Sequence, residues 1–231
     1  MLLFSLECSA AAASAAIYRD EKLLGEEFLN VPQTHSVTLL PMAKSLLEHT
    51  SISPAQIDYY AVSRGPGSFT GLRIGIAAIK GLAFPDNTPC VGVSTPEAIA
   101  YGLLGFEGTV IPMMDARCGQ VYTALFQGKD GRLTRLSEDE ALPLSELKEK
   151  LKSCTGPLWL CGDGAHLGLA AWGEELPVRI APAHLCCQRA SAVGLAAMQH
   201  LGEAVSPAAL VPCYLRPANA MTLAERQKKA E

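Results

Sequence analysis

The sequence predicts an α/β protein of two lobes, and three observations support this fold class. Short apolar runs that suit buried strands alternate with helical patterns along the chain. Each half opens with strands and carries a strand, a glycine-rich turn and a helix, at residues 63–75 and around residues 161–166. Hydrophobic residues make up 49% of the 231 residues and charged residues 18%, which allows a sizeable core. We predict an N-terminal lobe at residues 1–106 and a C-terminal lobe at residues 107–231.

The first lobe is predicted to begin with a buried strand, LLFSLE, and a hairpin whose two strands are separated by the charged turn RDEK. An amphipathic helix follows, because apolar residues recur at helical spacing between Leu39 and Leu47. IDYYAVSR is then a strand that leads into the glycine-rich turn, and TGLRIGIAAIKGLAF is a helix that Pro85 ends. A strand at residues 90–93 and a helix that begins at Thr95 complete this lobe.

The second lobe is predicted to open with two strands, GTVIPMMDAR and QVYTALFQ, around a tight turn at Cys118 and Gly119. A polar, charged segment, QGKDGRLTRLSEDE, and a helix, SELKEKLK, come next. PLWLCGDGAH is a strand that runs into the second glycine turn. A helix from about Ala190 to Leu201 and the extended segment PCYLR complete the lobe.

Charge and hydropathy exclude two classes of protein. The net charge of −4 argues against a protein that holds nucleic acid by bulk electrostatics, because phosphate neutralisation dominates such binding. Arg64, Arg73, Lys80 and the RQKK sequence near the C-terminus are expected to be ordinary solvated charges. The N-terminus has no basic stretch, Glu7 interrupts its apolar run, and no run approaches the ~20 residues of a membrane span. We therefore expect a cytoplasmic protein with no membrane partner.

Cysteine and histidine spacing gives no metal site. None of the eight cysteines forms a C-x-x-C pair, so reduced and mostly buried cysteines are expected. Two histidines at i and i+4 on a helix could bind a metal, but the residue four positions after His35 is Leu39. The five histidines are scattered, so we expect neither a metal nor a catalytic residue in this chain.

The stretch SRGPGSFTGLRIG matches neither common phosphate-binding motif. A P-loop would need a lysine after its last glycine, and Gly65, Gly67 and Gly71 are one residue too widely spaced for a dinucleotide fingerprint. Backbone N–H groups before the helix could still face an anion, although Pro66 removes one of these donors. A phosphate cradle therefore remains the weaker interpretation.

The helix after this turn carries glycines at positions 71 and 75, together with Ala78 and Gly81. Each mid-helix glycine costs about 1 kcal/mol relative to alanine, so close packing must compensate for it. Packing of this bare face against the sheet and contact with a second subunit remain equally open.

The same residues carry a resemblance to a known family. SRGPGSFTGLRIGIAAIKGLA resembles the signature of the bacterial TsaB (YeaZ) family. Three further segments are similar to that family: PMMDARCGQVYTALF, CGDGAH and PCYLR. The resemblance spans nearly the whole chain, so the chain is identified as a member of this family.

The resemblance implies the actin/sugar kinase/Hsp70-like (ASKHA) fold, with mixed sheets and flanking helices in two lobes. It also implies a non-catalytic scaffold that activates a TsaD-like catalytic subunit, which makes threonylcarbamoyladenosine (t6A) at tRNA position 37. A TsaE-like ATPase in the assembly, contact with tRNA through the complex and a homodimer when alone are expected. The chain needs no cofactor of its own, since ATP and metal are expected on the partner enzyme. We expect the partner interface at His35, Leu39, Met42, Arg64, Gly65, Gly67, Phe69, Thr70, Gly71, Arg73, Gly75 and Ala78.

One departure from the family pattern bears on an alternative function. TsaB members usually have Asp-Thr-Ser where this chain has Glu7, Cys8 and Ser9, and the following hairpin has no glycine for phosphate to approach. The alternative is a small ATPase or phosphotransferase that binds an anion at this hairpin or at the GDG turn of residues 162–164. A peptidase is less favoured still, because no nucleophile–base pair is visible in the sequence.

Overall fold

The computed structural model describes residues 1–216, which form two mixed sheets flanked by helices. The strands of the first sheet are β1 (Leu2–Glu7), β2 (Ala13–Arg19), β3 (Lys22–Leu29), β4 (Tyr59–Gly65) and β5 (Cys90–Ser94). Their order is β3-β2-β1-β4-β5, with β1, β2 and β3 antiparallel and β1, β4 and β5 parallel. This sheet confirms the predicted first strand, hairpin and two later strands. The RQKK sequence lies outside the described residues.

The second sheet has seven strands. They are β6 (Gly108–Asp115), β7 (Gln120–Thr123), β8 (Phe126–Lys129), β9 (Arg132–Arg135), β10 (Glu140–Pro143), β11 (Leu158–Cys161) and β12 (Val178–Ile180). The main path is β10-β7-β6-β11-β12, and β8 pairs with both β6 and β9. The prediction of a single strand over QVYTALFQ is wrong, because β7 pairs with the end of β6 and β8 with its beginning. The charged segment that follows contains β9.

Within residues 1–216, six α-helices pack on the two sheets. They are α1 (His35–Thr50), α2 (Phe69–Ala83), α3 (Thr95–Tyr101), α4 (Leu144–Leu151), α5 (Ala165–Trp172) and α6 (Ala190–Ala197). Because side chains alternate along a strand, Phe4 and Leu6 of β1 face α1 and α2, whereas Leu3 faces α3 and α6. The first sheet is therefore covered on both faces. Ser68 and Ser94 cap α2 and α3, since their hydroxyl oxygens accept bonds from backbone amides three residues later.

The position of α6 corrects the predicted lobe boundary. The assignment of all of residues 107–231 to the second lobe is wrong for this helix, which packs on β1 and β2 of the first sheet. Ser5 donates to the carbonyl of Ala190 at 2.7 Å, and the amide of Ala190 donates to Ser14 at 2.7 Å. Gly194 brings the helix against the ring of Tyr18. Small residues give α6 the flat face that this close packing requires.

A polar network joins the two lobes near the start of α3. Arg135 of β9 forms salt bridges with Glu97 at 3.1 Å and with Asp139 at 2.9 Å. Glu97 also contacts His200, whose other ring nitrogen lies 3.0 Å from Glu203. The two sheets are therefore connected by charges as well as by the chain. None of the helices formed by residues 1–216 has the length and apolar character needed to cross a bilayer.

Candidate functional site

The glycine-rich turn between β4 and α2 is held from two sides. Gly65 has a φ of 124°, and any side chain there would overlap the carbonyl oxygen of Cys213. The amide of Cys213 in turn donates to the backbone carbonyl of Arg64 at 2.7 Å. On the other side, the amide of Ser68 donates to the carbonyl of Ser9 at 2.7 Å. The turn therefore lies between the C-terminal segment and the turn that joins β1 to β2.

The two helix glycines of α2 face the protein's own sheet. A Cβ at position 71 would overlap the carbonyl of Cys8, and a Cβ at position 75 would lie 2.7 Å from the Cys8 sulfur and 3.2 Å from Val62. Of the two explanations left open by the sequence, internal packing is the one that the structure supports. The expectation that Gly71 and Gly75 form a bare face for a partner is wrong, because Cys8, which follows β1, and Val62 of β4 already occupy that face.

Cys8 fills the space that these glycines leave. Its thiol donates to the carbonyl of Gly71 at 3.1 Å, and burial raises the pKa of the thiol well above its usual value. Such a cysteine packs as a small apolar residue. All eight cysteines are free, but only four are buried, namely Cys8, Cys90, Cys161 and Cys186. The expectation of mostly buried cysteines is therefore met by half of them.

The predicted partner interface divides by burial. Six of its residues are buried within the chain itself, namely Leu39, Met42, Gly65, Gly71, Gly75 and Ala78. His35, Gly67 and Phe69 are half-buried, and Arg64, Thr70 and Arg73 are exposed. The His35 ring is bonded to the backbone and not to a side chain. Its Nε2 atom lies 2.7 Å from the carbonyl oxygen of Ala10. A partner can therefore meet the exposed members directly, whereas the buried members support the helices from below.

The same two helices expose apolar residues that the sequence analysis did not single out. Val37 and Leu40 of α1 are 65% and 52% exposed, and Phe84 at the end of α2 is 73% exposed. Beside them, Leu40, Leu47 and Leu82 line an apolar groove of about 670 Å³. We call this surface, defined by Val37, Leu40, Leu82 and Phe84, the α1–α2 face. The exposure of Leu40 could have been predicted from the sequence. Leu39 lies on the buried stripe of α1, and the next residue is rotated by about 100° around the helix axis.

Glu7 lies at the end of β1 beneath the cleft between the lobes. It is fully buried, accepts a bond from the amide of Ser9 at 2.5 Å and accepts another from the hydroxyl of Ser63. Burial is the main cause that raises the pKa of this carboxyl, and the bonds from Ser63 and Ser9 oppose it. A carboxylate without access to the cleft cannot meet a ligand there.

The turn after Glu7 and the GDG turn of the second lobe are both held by contacts within the chain. The carbonyl of Ser9 is already bonded to Ser68, and Gly67 lies against Ser9 so closely that a Cβ would be 3.0 Å from its side chain. In the second lobe, the amide of Gly164 donates to the carbonyl of Met113 at 2.9 Å, which is the contact of a tight turn packed on β6. Contacts within the chain therefore hold both of the turns that the alternative function would use as phosphate sites.

The cleft itself has a volume of about 470 Å³ and is lined by Asp115, Asp163 and Arg117. Arg117 forms a salt bridge with Asp115 at 3.2 Å, and Gln188 donates to Asp163 at 2.6 Å. No group of three or more histidine, cysteine or acidic side chains in residues 1–216 is arranged to hold a metal ion.

Comparison with known proteins decides the family. Residues 29–154, more than half of the chain, match the family described as "TsaD: tRNA N6-adenosine threonylcarbamoyltransferase". The tRNA threonylcarbamoyladenosine biosynthesis protein TsaB of Bacillus subtilis is 31% identical over 95% of this chain and 96% of that protein. The chain belongs to the TsaB (YeaZ) family.

Solved structures agree with this family and with the predicted fold class. A Pseudomonas aeruginosa protein described as similar to peptidase YEAZ superposes with a TM-score of 0.80 at 28% identity, covering 93% of this chain and 99% of that one. Component A of (R)-2-hydroxyglutaryl-CoA dehydratase from Acidaminococcus fermentans superposes with a TM-score of 0.52 at 12% identity, covering 85% and 96%. At that identity the likeness concerns the fold alone, which is the two-lobed ASKHA fold.

Proposed function

We propose that this TsaB-family chain is a non-catalytic scaffold for a TsaD-type threonylcarbamoyltransferase in the t6A modification of tRNA. The observation that carries the proposal is the α1–α2 face. Large apolar side chains of both helices are exposed there, beside an apolar groove of about 670 Å³. The family's naming as a t6A biosynthesis protein supports the pathway.

The partner is proposed to be a protein of the same fold, the TsaD-like catalytic subunit, bound through the α1–α2 face. An exposed apolar face on two neighbouring helices suits helix-against-helix packing, in which side chains of one helix fill the grooves of another. Without the partner, a second copy of this chain would cover the same face. ATP and metal belong to the catalytic partner in this proposal, a TsaE-like ATPase joins the assembly, and tRNA is reached through the complex. The cytoplasm is the proposed location.

The test is size-exclusion chromatography with light scattering on the chain alone and mixed with the TsaD-like protein of its own organism. Leu40→Asp places a charge in the centre of the proposed contact, so we expect affinity to fall by at least about tenfold. Leu167→Asp is the matched control, because Leu167 is an exposed leucine on α5 of the other lobe. Equal binding by the parent and the Leu40 variant would contradict the proposed surface. If the parent chain forms no complex with the TsaD-like protein at all, the scaffold proposal itself is contradicted.

A further inference from the structure

A second surface lies at the mouth of the cleft, away from the α1–α2 face. The C-terminal segment crosses here from one lobe to the other, because Tyr214 stacks on Phe69 at 4.8 Å and Arg216 donates to the carbonyl of Ala116 at 2.9 Å. Between them is a cavity of about 230 Å³ that also includes Arg117. We call it the strap pocket. It contains neither Gly162–Gly164 nor the turn after Glu7, so it differs from the nucleotide sites considered above.

The strap pocket combines aromatic rings with arginines. Its rings are Phe69, Tyr122 and Tyr214, and its charged residues are Arg117 and Arg216. Among residues 1–216, no acidic residue lines it. A third arginine, Arg73, lies 3.8 Å above the ring of Phe69 and donates to the Tyr214 hydroxyl. This local positive charge contrasts with the net charge of −4 of the whole chain. Arginines interleaved with aromatic rings bind ligands that join an anion to a planar ring.

Enough of these groups are open to a ligand. The Arg117 side chain is 85% exposed, and its salt bridge with Asp115 is therefore readily exchanged for a phosphate. Tyr214 is 37% exposed even though one side of its ring contacts Phe69. Arg216 uses one guanidinium nitrogen for the carbonyl of Ala116, which holds the others at the pocket. Arg216 is thus positioned at the pocket, and Arg117 is held beside it by an exposed salt bridge that a phosphate can replace.

The size of the pocket indicates whether such a ligand is a free small molecule or part of a nucleic-acid strand. Sites that enclose free small molecules measure ~300–1,000 Å³, and the strap pocket is smaller than this range. A nucleic-acid strand gains affinity from contacts of its successive phosphates with a protein surface, so a shallow pocket for one base is sufficient. A double helix would hide its base faces from Tyr214, whereas an unpaired strand presents them.

We propose that the strap pocket binds one nucleotide of single-stranded RNA, with the base against Tyr214 and the phosphate between Arg117 and Arg216. In the proposed assembly, that RNA strand would belong to the tRNA substrate. Only this identification of the RNA rests on the proposed function. The pocket makes this chain a direct RNA contact instead of a scaffold that reaches RNA only through its partner.

Fluorescence anisotropy with a labelled oligoadenylate tests the proposal, using the full chain alone and mixed with its TsaD-like partner. Arg117→Ala combined with Arg216→Ala should weaken binding by about tenfold or more and reduce the salt dependence by about 0.7 in log–log slope per arginine. Arg216→Lys keeps the charge and should restore part of the affinity. Arg132→Ala is the control, because Arg132 is an exposed arginine on β9 in the second lobe.

Three results would overturn the proposal. The first is a double variant that binds as tightly as the parent, and the second is a control variant that weakens binding equally. The third is complete displacement of the oligonucleotide by AMP at the affinity of a free-nucleotide site. Light scattering on the same samples separates this question from the scaffold function. A double variant that still assembles but loses RNA supports both proposals. A parent chain that binds RNA through these arginines but never assembles refutes only the scaffold.

Discussion

The two lobes each contain a strand, a glycine turn and a helix, and the two units differ in what covers the helix. In the first lobe, β4 leads into α2, whose Gly71 and Gly75 lie on Cys8. In the second lobe, β11 leads into α5, and Gly162 and Gly164 lie on the backbone of β6 around Met113. Glycine serves the same purpose in both units, which is close approach to the chain's own sheet.

The difference lies on the outer side of the helices. In the first unit, α1 runs beside α2, and together they expose Val37, Leu40 and Phe84. In the second unit, the shorter α5 exposes Leu167 and Leu169, each less than 40% exposed. The comparison teaches that the glycines of the signature build the fold, whereas the neighbouring outward positions carry the proposed docking function. Four substitutions can break or sharpen this comparison.

The largest effect is expected for Gly71→Val. The new side chain would overlap the carbonyl of Cys8, a backbone atom that cannot move without shifting β1. We expect a loss of about 3 kcal/mol in the free energy of unfolding, measured by urea denaturation. A variant of unchanged stability would show that α2 does not lie on β1 as described.

A smaller loss, about 2 kcal/mol, is expected for Gly162→Ala in the second lobe. Its φ of 89° disfavours any side chain, and the added Cβ would overlap the carbonyl of Met113. Urea denaturation again measures the change. Binding to the TsaD-like partner should be kept by the folded fraction, because this turn is remote from the α1–α2 face. Loss of binding at full stability would place a docking contact in the second lobe.

Glu7→Gln should change the pH dependence of stability. Burial raises the pKa of Glu7 above its usual 4.5, so the folded state holds this proton more tightly than the unfolded state. The parent should therefore lose stability as the pH rises above about 4.5 and through the raised pKa, whereas the neutral glutamine should not contribute to this loss. Urea midpoints between about pH 5 and pH 8 measure the difference.

Glu174→Gln serves as the control, because Glu174 is exposed in the second lobe. If the parent and the Glu7 variant show parallel pH profiles, Glu7 is not the buried acid that the structure describes.

The smallest effect is expected for Gly81→Ala, and it should be stabilising. Nothing lies within 4 Å of a Cβ at this position, and alanine is favoured over glycine in a helix by about 0.5–1 kcal/mol. Thermal denaturation measures the gain. Because Gly81 is exposed near the α1–α2 face, its variant also tests the partner directly. Stabilisation with weakened assembly would show that the partner's backbone passes over this glycine.

Much of the first lobe was predictable from local patterns. The alternation of β1, the hairpin and the spacing of the α1 leucines are set by residues close in sequence, and the structure confirms them. β9 and the split between β7 and β8 were missed, because β6 supplies the pairing partner from outside the segment. The position of α6 was missed for a similar reason, since the sequence shows its small residues but not the sheet that they approach.

The candidate site followed the same division. The family motifs and the absence of a histidine pair were visible in the sequence, so the family and the proposed role could be predicted. The burial of half the predicted interface could not be predicted, because the burial of Gly71 depends on Cys8, which follows β1 more than sixty residues away in the sequence. The exposure of Val37 and Phe84 could not be predicted either, because no local pattern distinguishes them from apolar residues that are buried.

The sequence by itself determined the fold class, the order of most first-lobe elements and the family, because these depend on local periodicity and on a long motif. Only the tertiary structure decided which face of α2 meets the sheet. It also decided that Glu7 is buried and accepts a hydrogen bond from Ser63, and that the C-terminal segment brings Arg216 to the cleft. Each of these depends on contacts between distant segments. Their free energy comes from the burial and close approach of surfaces that no local pattern specifies.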